Sequence, residues 1–295
     1  MMSFRRRDVI AGAGALALAA TCPTSPLGAA SASAFPSKRP PKGQRRFTSP
    51  AVEAEIARVK AKIADPQIGW LFENCYPNTL DTTAELGTID GQPDTFVITG
   101  DIDAMWLRDS SAQLQTYVHL TPKDAALRRL FHGLIQRQAR CILIDPYANA
   151  FMKDPAARSS LPAISDRTDM KPGVAERKWE IDSLCYPMRL AHGYWTATRD
   201  KAPFDALWAK AMARAVATLR EQQRKDGPGP YHFQRIDKSP TETLMFDGHG
   251  APTRKVGLIH SGFRPSDDAC FYPFLIPSNL FAMSALRMLA QGLNE

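Results

Sequence analysis

The 295-residue sequence predicts an all-α chain, and three observations carry the prediction. Apolar residues recur at helical spacing through most of residues 51–295. The connections between those stretches are irregular, and the sequence has few alternating strand patterns and no Rossmann-type glycine pattern. With 44% hydrophobic residues the chain can bury a core, as one large domain or two, which excludes a disordered protein.

Val52, Ile56, Val59 and Ile63 mark the first helix, which should stop at Asp65-Pro66 because proline cannot donate to the preceding turn. A short second helix, Ile68 to Tyr76, leads into Asn78-Thr79-Leu80-Asp81-Thr82-Thr83, residues that suit turns and caps or the lining of a site. A short β-prone run from Phe96 turns at Thr99-Gly100 into a helix beginning near Asp101. Thr121-Pro122-Lys123-Asp124 reads as a helix start, with a capping hydroxyl followed by proline. Its apolar face is Leu127, Leu130, Phe131, Leu134 and Ile135, ending near Asp145-Pro146.

Residues 152–175 read as a long surface loop of the kind that rims pockets. Glu176 to Pro187 reads as the start of another helix, on which Glu180 and Asp182, two apart, do not share a face; at most one points inward. Phe204, Leu207, Trp208, Ala211, Ala215 and Leu219 mark the next helix, which ends before Asp226-Gly227-Pro228. Residues 231–265 look irregular, and a last helix runs through Leu289. The pattern yields about seven or eight helices.

The net charge of +7 resides in the N-terminus. Residues 1–46 hold Arg5, Arg6, Arg7, Lys38, Arg39, Lys42, Arg45 and Arg46 against Asp8, so the remainder sums to zero. A neutral body gives no electrostatic case for nucleic acid. Arg5-Arg6-Arg7 before the apolar run Ala11–Ala20, with small-residue cleavage options up to Ala34, predicts a twin-arginine-type signal over residues 1–34 and a bacterial periplasmic or extracellular protein. The run is too short to span a membrane, so no span is expected after signal removal, and Cys22 is an alternative lipidation point. Residues 35–50 read as a linker and 51–295 as the body. Cys75, Cys141, Cys185 and Cys270 have no metal-ligand spacing and read as buried free thiols.

Two strings concentrate chemistry. In the first, Asp101, Asp103, Trp106, Arg108 and Asp109 fall within nine residues. Carboxylates and a guanidinium grip adjacent hydroxyls while an indole covers the C–H face of a sugar ring. Taken alone, the same residues serve equally as ion pairs, a helix cap and a core tryptophan. The second is Ser261-Gly262-Phe263-Arg264-Pro265-Ser266-Asp267-Asp268, whose tandem acids alone read as a helix cap.

Thr99-Gly100-Asp101-Ile102-Asp103-Ala104-Met105-Trp106-Leu107-Arg108-Asp109-Ser110 closely resembles the signature of glycoside hydrolase family 125, exo-acting α-1,6-mannosidases that work without a metal. Residues 78–83, 145–151, 176–187, 233–235, 241–244 and 261–270 resemble the family too. The resemblance implies an (α/α)6 barrel, no metal, no cofactor, and a mannose-containing oligosaccharide or N-glycan as partner. It gives Asp267 the role of general acid, and makes Asp101, Asp103, Trp106, Arg108, Asp109, Asp182, Arg264 and Asp268 candidate sugar contacts, with Glu180 as an alternative to Asp182. A carboxyl acting as acid must hold its proton near neutral pH, which partial burial and a like charge at Asp268 would favour.

Family members are inverting, with a glutamate base in a Met-His-Glu-type string near the C-terminus. Residues 1–295 contain no such string, and His260-Ser261-Gly262-Phe263 has serine in place of the glutamate. The likeness over residues 50–295 corresponds to roughly the first two-thirds of a family member. The expectation is therefore an incomplete barrel, truncated at its C-terminus and lacking its base. The alternative is a non-catalytic mannose-binding or inert remnant, distinguished by whether a Met-His-Glu-like frame follows downstream. The sequence does not determine the oligomeric state.

Overall fold

The computed structural model describes residues 35–100, 102–159, 161, 166–236 and 240–294. The leader expected over residues 1–34 and the candidate contact Asp101 lie outside the described residues. Ser37–Glu295 forms one compact unit. No helix of the described residues is long and apolar enough to cross a membrane.

The elements are helices α1 (Pro50–Lys60), α2 (Pro66–Cys75) and α3 (Asn78–Thr82), then strands β1 (Ala84–Ile89), β2 (Gln92–Val97) and β3 (Met105–Trp106). Helices α4 (Leu107–Gln115) and α5 (Ala125–Ile144) follow, then strands β4 (Ala150–Phe151), β5 (Asp166–Arg167) and β6 (Val174–Glu176). Helices α6 (Ile181–Thr198) and α7 (Ala206–Glu221), strand β7 (Gln234–Arg235) and helix α8 (Ile276–Asn294) complete the described chain. Helix α6 packs between α4 and α8, while α5 packs against α7 and the β1–β2 hairpin.

The helix stops and starts have local causes. Ser49 caps α1 by accepting from Val52 N–H, and Asp65 caps α2, each just before a proline at the first helical position. Thr121, expected to cap the next helix, instead closes a 3-10 turn by donating to the Val118 carbonyl. The cap of α5 is Asp124, three residues later, accepting from Leu127 N–H. Residues 37–50 differ from the linker expected there. The Arg39 side chain, only 5% exposed, bridges Asp81 at 2.7 Å and Glu53 at 2.6 Å, and Phe47 enters the core.

The β1–β2 hairpin was not expected, although Asp90-Gly91, both at positive φ, is the turn that two-residue hairpins favour. It is held to α5 by close approach at Gly133, where a Cβ would lie 2.7 Å from the Asp94 backbone. Arg137 on α5 then grips Asp94 bidentately, at 2.8 and 2.5 Å. Three of the four described cysteines are buried free thiols, as expected, whereas Cys75 is exposed.

The three-stranded sheet β3–β4–β6 organises the site. Its antiparallel pairs, Met105 with Phe151 and Ala150 with Glu176, place chain segments far apart in sequence side by side. Two helix expectations fail here. The string around Asp103 is a turn and a strand, and its helix starts only at Leu107. Residues 174–180 are strand and extended chain, with α6 starting at Ile181.

Candidate active site

Extended backbone alternates its side chains, so Glu176, Lys178 and Glu180 fall on one face and Arg177 and Trp179 on the other. Trp179, fully buried, donates its indole N–H to the His260 carbonyl at 2.7 Å. Its own carbonyl accepts from Gly262 and Phe263 N–H, at 3.2 and 2.9 Å. That contact fastens the 261–270 string beside the 176–182 segment.

The 263–269 loop is a tight turn. Phe263 and Ala269 pair across it, Asp267 N–H donates to the Arg264 carbonyl at 2.9 Å, and Arg264 N–H donates to the Asp268 carbonyl at 2.8 Å. Such loops close with a left-handed residue, ordinarily glycine. Here that residue is Asp267, with φ 64°. Aspartate tolerates this conformation better than most side chains, at a cost of roughly 1–2 kcal/mol.

Arg108, in the first turn of α4, is the centre of charge. Its Nη1 lies 2.6 Å from Glu180 Oε2 and 3.7 Å from Asp182 Oδ2, its Nε 3.4 Å from Asp109 Oδ2, and its Nη2 3.8 Å from Asp267 Oδ1. Glu180 and Asp182 both reach it, overturning the expectation that at most one would point inward. The face rule holds only within a helix, and Glu180 is the extended residue before α6. Burial opposes the charge on Arg108, but these carboxylates outweigh it and hold the guanidinium firmly protonated.

One cation does not balance these acids. Glu180 Oε1, both Asp182 oxygens, Asp109 Oδ2 and Asp267 Oδ1 are shut from solvent without a hydrogen-bond partner. Burial pushes the Glu180 carboxyl well up, despite Arg108. Asp267 is also raised, by burial first and then by Glu176. The like charge expected at Asp268 is thus supplied by Glu176. Asp268 turns outward to Arg264 and Ser266, each at 2.7 Å, and these contacts lower its pKa.

The remaining candidates sit around this cluster. Trp106 is buried against Ala104, Ala150 and Ala175. Asp103 is exposed on the turn before β3. Residues 176 and 178 were not singled out from the sequence. Glu176 accepts from Asn149 at 2.8 Å and Arg235 at 3.1 Å, while Lys178 donates to the Asp267 carbonyl at 3.0 Å. Glu176, Lys178 and Glu180 stand two apart, the strand period, but the charge on Arg177 between them hides the alternation.

The sequence matches the profile of the metal-independent α-mannosidases of family GH125 over residues 65–295. The chain belongs to this family. The GH125 chain is 41% identical over 276 residues to the meiotically up-regulated gene 157 protein of Schizosaccharomyces pombe, covering 88% of this chain and 54% of the yeast protein. It superposes with TM-score 0.77 and 39% identity on a metal-independent α-mannosidase from Streptococcus pneumoniae, solved as a non-productive complex with α-1,6-mannobiose. That match covers 85% of this chain and 58% of the other. The chain therefore spans about half the length of the curated relative it matches. The fold is of the (α/α)6 barrel class. Among the described residues, no group of three or more His, Cys, Asp or Glu side chains is placed to hold a metal ion.

The buried acids make stability pH-dependent. Burial pushes the Asp182 carboxyl from its ordinary 3.8 up to about 6, with Arg108 offsetting part of the effect. Between those values the folded state keeps a proton that the unfolded chain has released, so this group's contribution to stability falls as pH rises through the window. Asp182→Asn is expected to remove on the order of 2 kcal/mol of that fall. Urea unfolding midpoints at pH 4 and pH 6.5 measure it, and an unchanged difference between variant and wild type would contradict the assignment.

Proposed function

We propose that this chain carries the acid side of an inverting, exo-acting α-1,6-mannosidase site that removes terminal mannose from oligosaccharides or N-glycans. The observation that carries the reading is the placement of Asp267, a raised carboxyl at the tip of a left-handed turn, partly open to solvent and facing Glu180 and Arg108. In this reading Asp267 protonates the glycosidic oxygen as the C1–O bond breaks. Water attacks C1 from the opposite face and loses its proton to a carboxylate base about 6.5–9.5 Å from the acid. Arg108, Asp109 and Asp182 are proposed to meet the sugar hydroxyls, with Arg264 and Asp268 at the rim, Trp106 and Asp103 on the β3 side, and Asp101 adjoining in sequence. The bacterial relative's complex with α-1,6-mannobiose supports that linkage. Function outside the cytoplasm, after export by the twin-arginine route, is part of the proposal.

No string in residues 1–295 matches the family's base. A positioned base contributes roughly 10²–10⁴-fold, so residues 1–295 alone are expected to be slower by about that factor than a polypeptide that supplies one. The test is hydrolysis of α-1,6-mannobiose by both forms, before and after dialysis against a chelator. Turnover by the longer form that survives chelation supports the reading. Loss restored by calcium or zinc would refute it, as would equal turnover by the two forms. Mannose binding without turnover in either form would favour the non-catalytic alternative.

A further inference from the structure

We infer that Lys178 is a positioning residue for Asp267, fastening the acid's strained backbone through its main-chain carbonyl. The inference rests on the reading of Asp267 as the general acid and extends it to a residue that touches neither sugar nor reacting atoms. Four observations carry it. Lys178 is only 3% exposed, and a lysine is that deeply buried only where partners hold its ammonium. Its Nζ donates to the Asp267 carbonyl at 3.0 Å and lies 3.5 Å from Glu176 Oε1. The ammonium also stands over the Phe263 ring, at 5.4 Å from the centroid, so it touches both the base and the tip of the acid turn. Its own backbone is fixed, since Lys178 N–H donates to Asn149 Oδ1 at 3.1 Å and Asn149 donates in turn to Glu176.

These contacts act on a backbone that needs holding. Asp267 takes the left-handed conformation, and an aspartate there is favoured less than the glycine that usually closes such a turn. The turn's two backbone hydrogen bonds tie Arg264 to Asp267 and Asp268, and leave the Asp267 carbonyl to Lys178. A charge-assisted bond to that carbonyl opposes rotation of the peptide plane that follows Asp267. The direction of the carboxyl depends on that plane. Without the bond the turn can relax, and a carboxyl displaced by about 1 Å from the glycosidic oxygen is enough to cost roughly 10²-fold in rate.

Selective loss of proton donation separates positioning from general damage. A disaccharide leaving group needs the proton, whereas 2,4-dinitrophenolate leaves with little help. The experiment compares kcat for α-1,6-mannobiose and for 2,4-dinitrophenyl α-mannoside, on the full polypeptide that carries these residues. Variants are Lys178→Met, Lys178→Arg and Asp267→Asn. Expected for Lys178→Met is a fall of roughly 10²-fold in the ratio of mannobiose to aryl-mannoside kcat, with KM for mannobiose little changed. Lys178→Arg, which keeps a charged donor, should recover part of the ratio. Parallel loss on both substrates, or an unchanged ratio in both lysine variants, would overturn the inference. If Lys178→Met does not fold, as judged by circular dichroism, the ratio for Lys178→Arg decides between a partial fall and none. Asp267→Asn separates the two claims. A fall in the ratio there but not in the lysine variants sinks the inference alone, whereas no fall in Asp267→Asn sinks the reading of the acid itself.

Discussion

Replacing Asp267 by asparagine should lower hydrolysis of α-1,6-mannobiose by at least roughly 10²–10⁴-fold in a polypeptide that supplies the base, while leaving binding of the disaccharide measurable. Asparagine is the informative substitution because it tolerates the left-handed backbone at this position and keeps the side-chain shape, so only the transferable proton is removed. The neighbouring Asp268 is the natural comparison. Its carboxylate is committed to Arg264 and Ser266 and its pKa is lowered, the opposite of what proton donation requires. Initial rates with calorimetric binding of the intact disaccharide measure both effects. The assignment fails if Asp268→Asn is the dead variant and Asp267→Asn keeps full turnover.

The second large effect is on stability. Arg108→Met should cost about 3–5 kcal/mol at pH 7, because Glu180 and Asp182 would remain buried without their cation. The loss should shrink at pH 5, where Asp182, pushed up to about 6, takes up a proton and part of the uncompensated charge disappears. Double substitution with Glu180→Gln should recover part of the stability at pH 7, since it removes the closest unpaired charge. Urea unfolding at the two pH values reads all of these. A pH-independent loss would show that Arg108 contributes packing alone.

The helical body was legible because its signals are local. Val52 and Ile56 recur at helical spacing in α1, that helix ends before Pro66 as read, and the apolar face of α5 is written at helical spacing. What misled was chemistry placed on extended backbone between helices. Two-residue strands such as β3 and β4 carry no periodicity of their own and exist only because Met105 and Trp106 find Phe151 and Ala150 across the fold. The charged run from Glu176 therefore read as a helix start, and Glu176 and Lys178 went unnoticed beside the acids of the same run.

The candidate site divides the same way. Residue type and order were enough to single out Asp267, Arg108, Asp109 and Asp182, since these rest on two short strings and their likeness to a family. That Arg108 gathers carboxylates from α4, from the start of α6 and from the 263–269 turn was decided by tertiary packing alone. Burial raises the acids' pKa values, and no local pattern encodes burial. Nor does the sequence show that Asp267 occupies a glycine-like position, because the conformation follows from closing the turn onto Trp179 and Lys178, residues some ninety positions earlier in the chain.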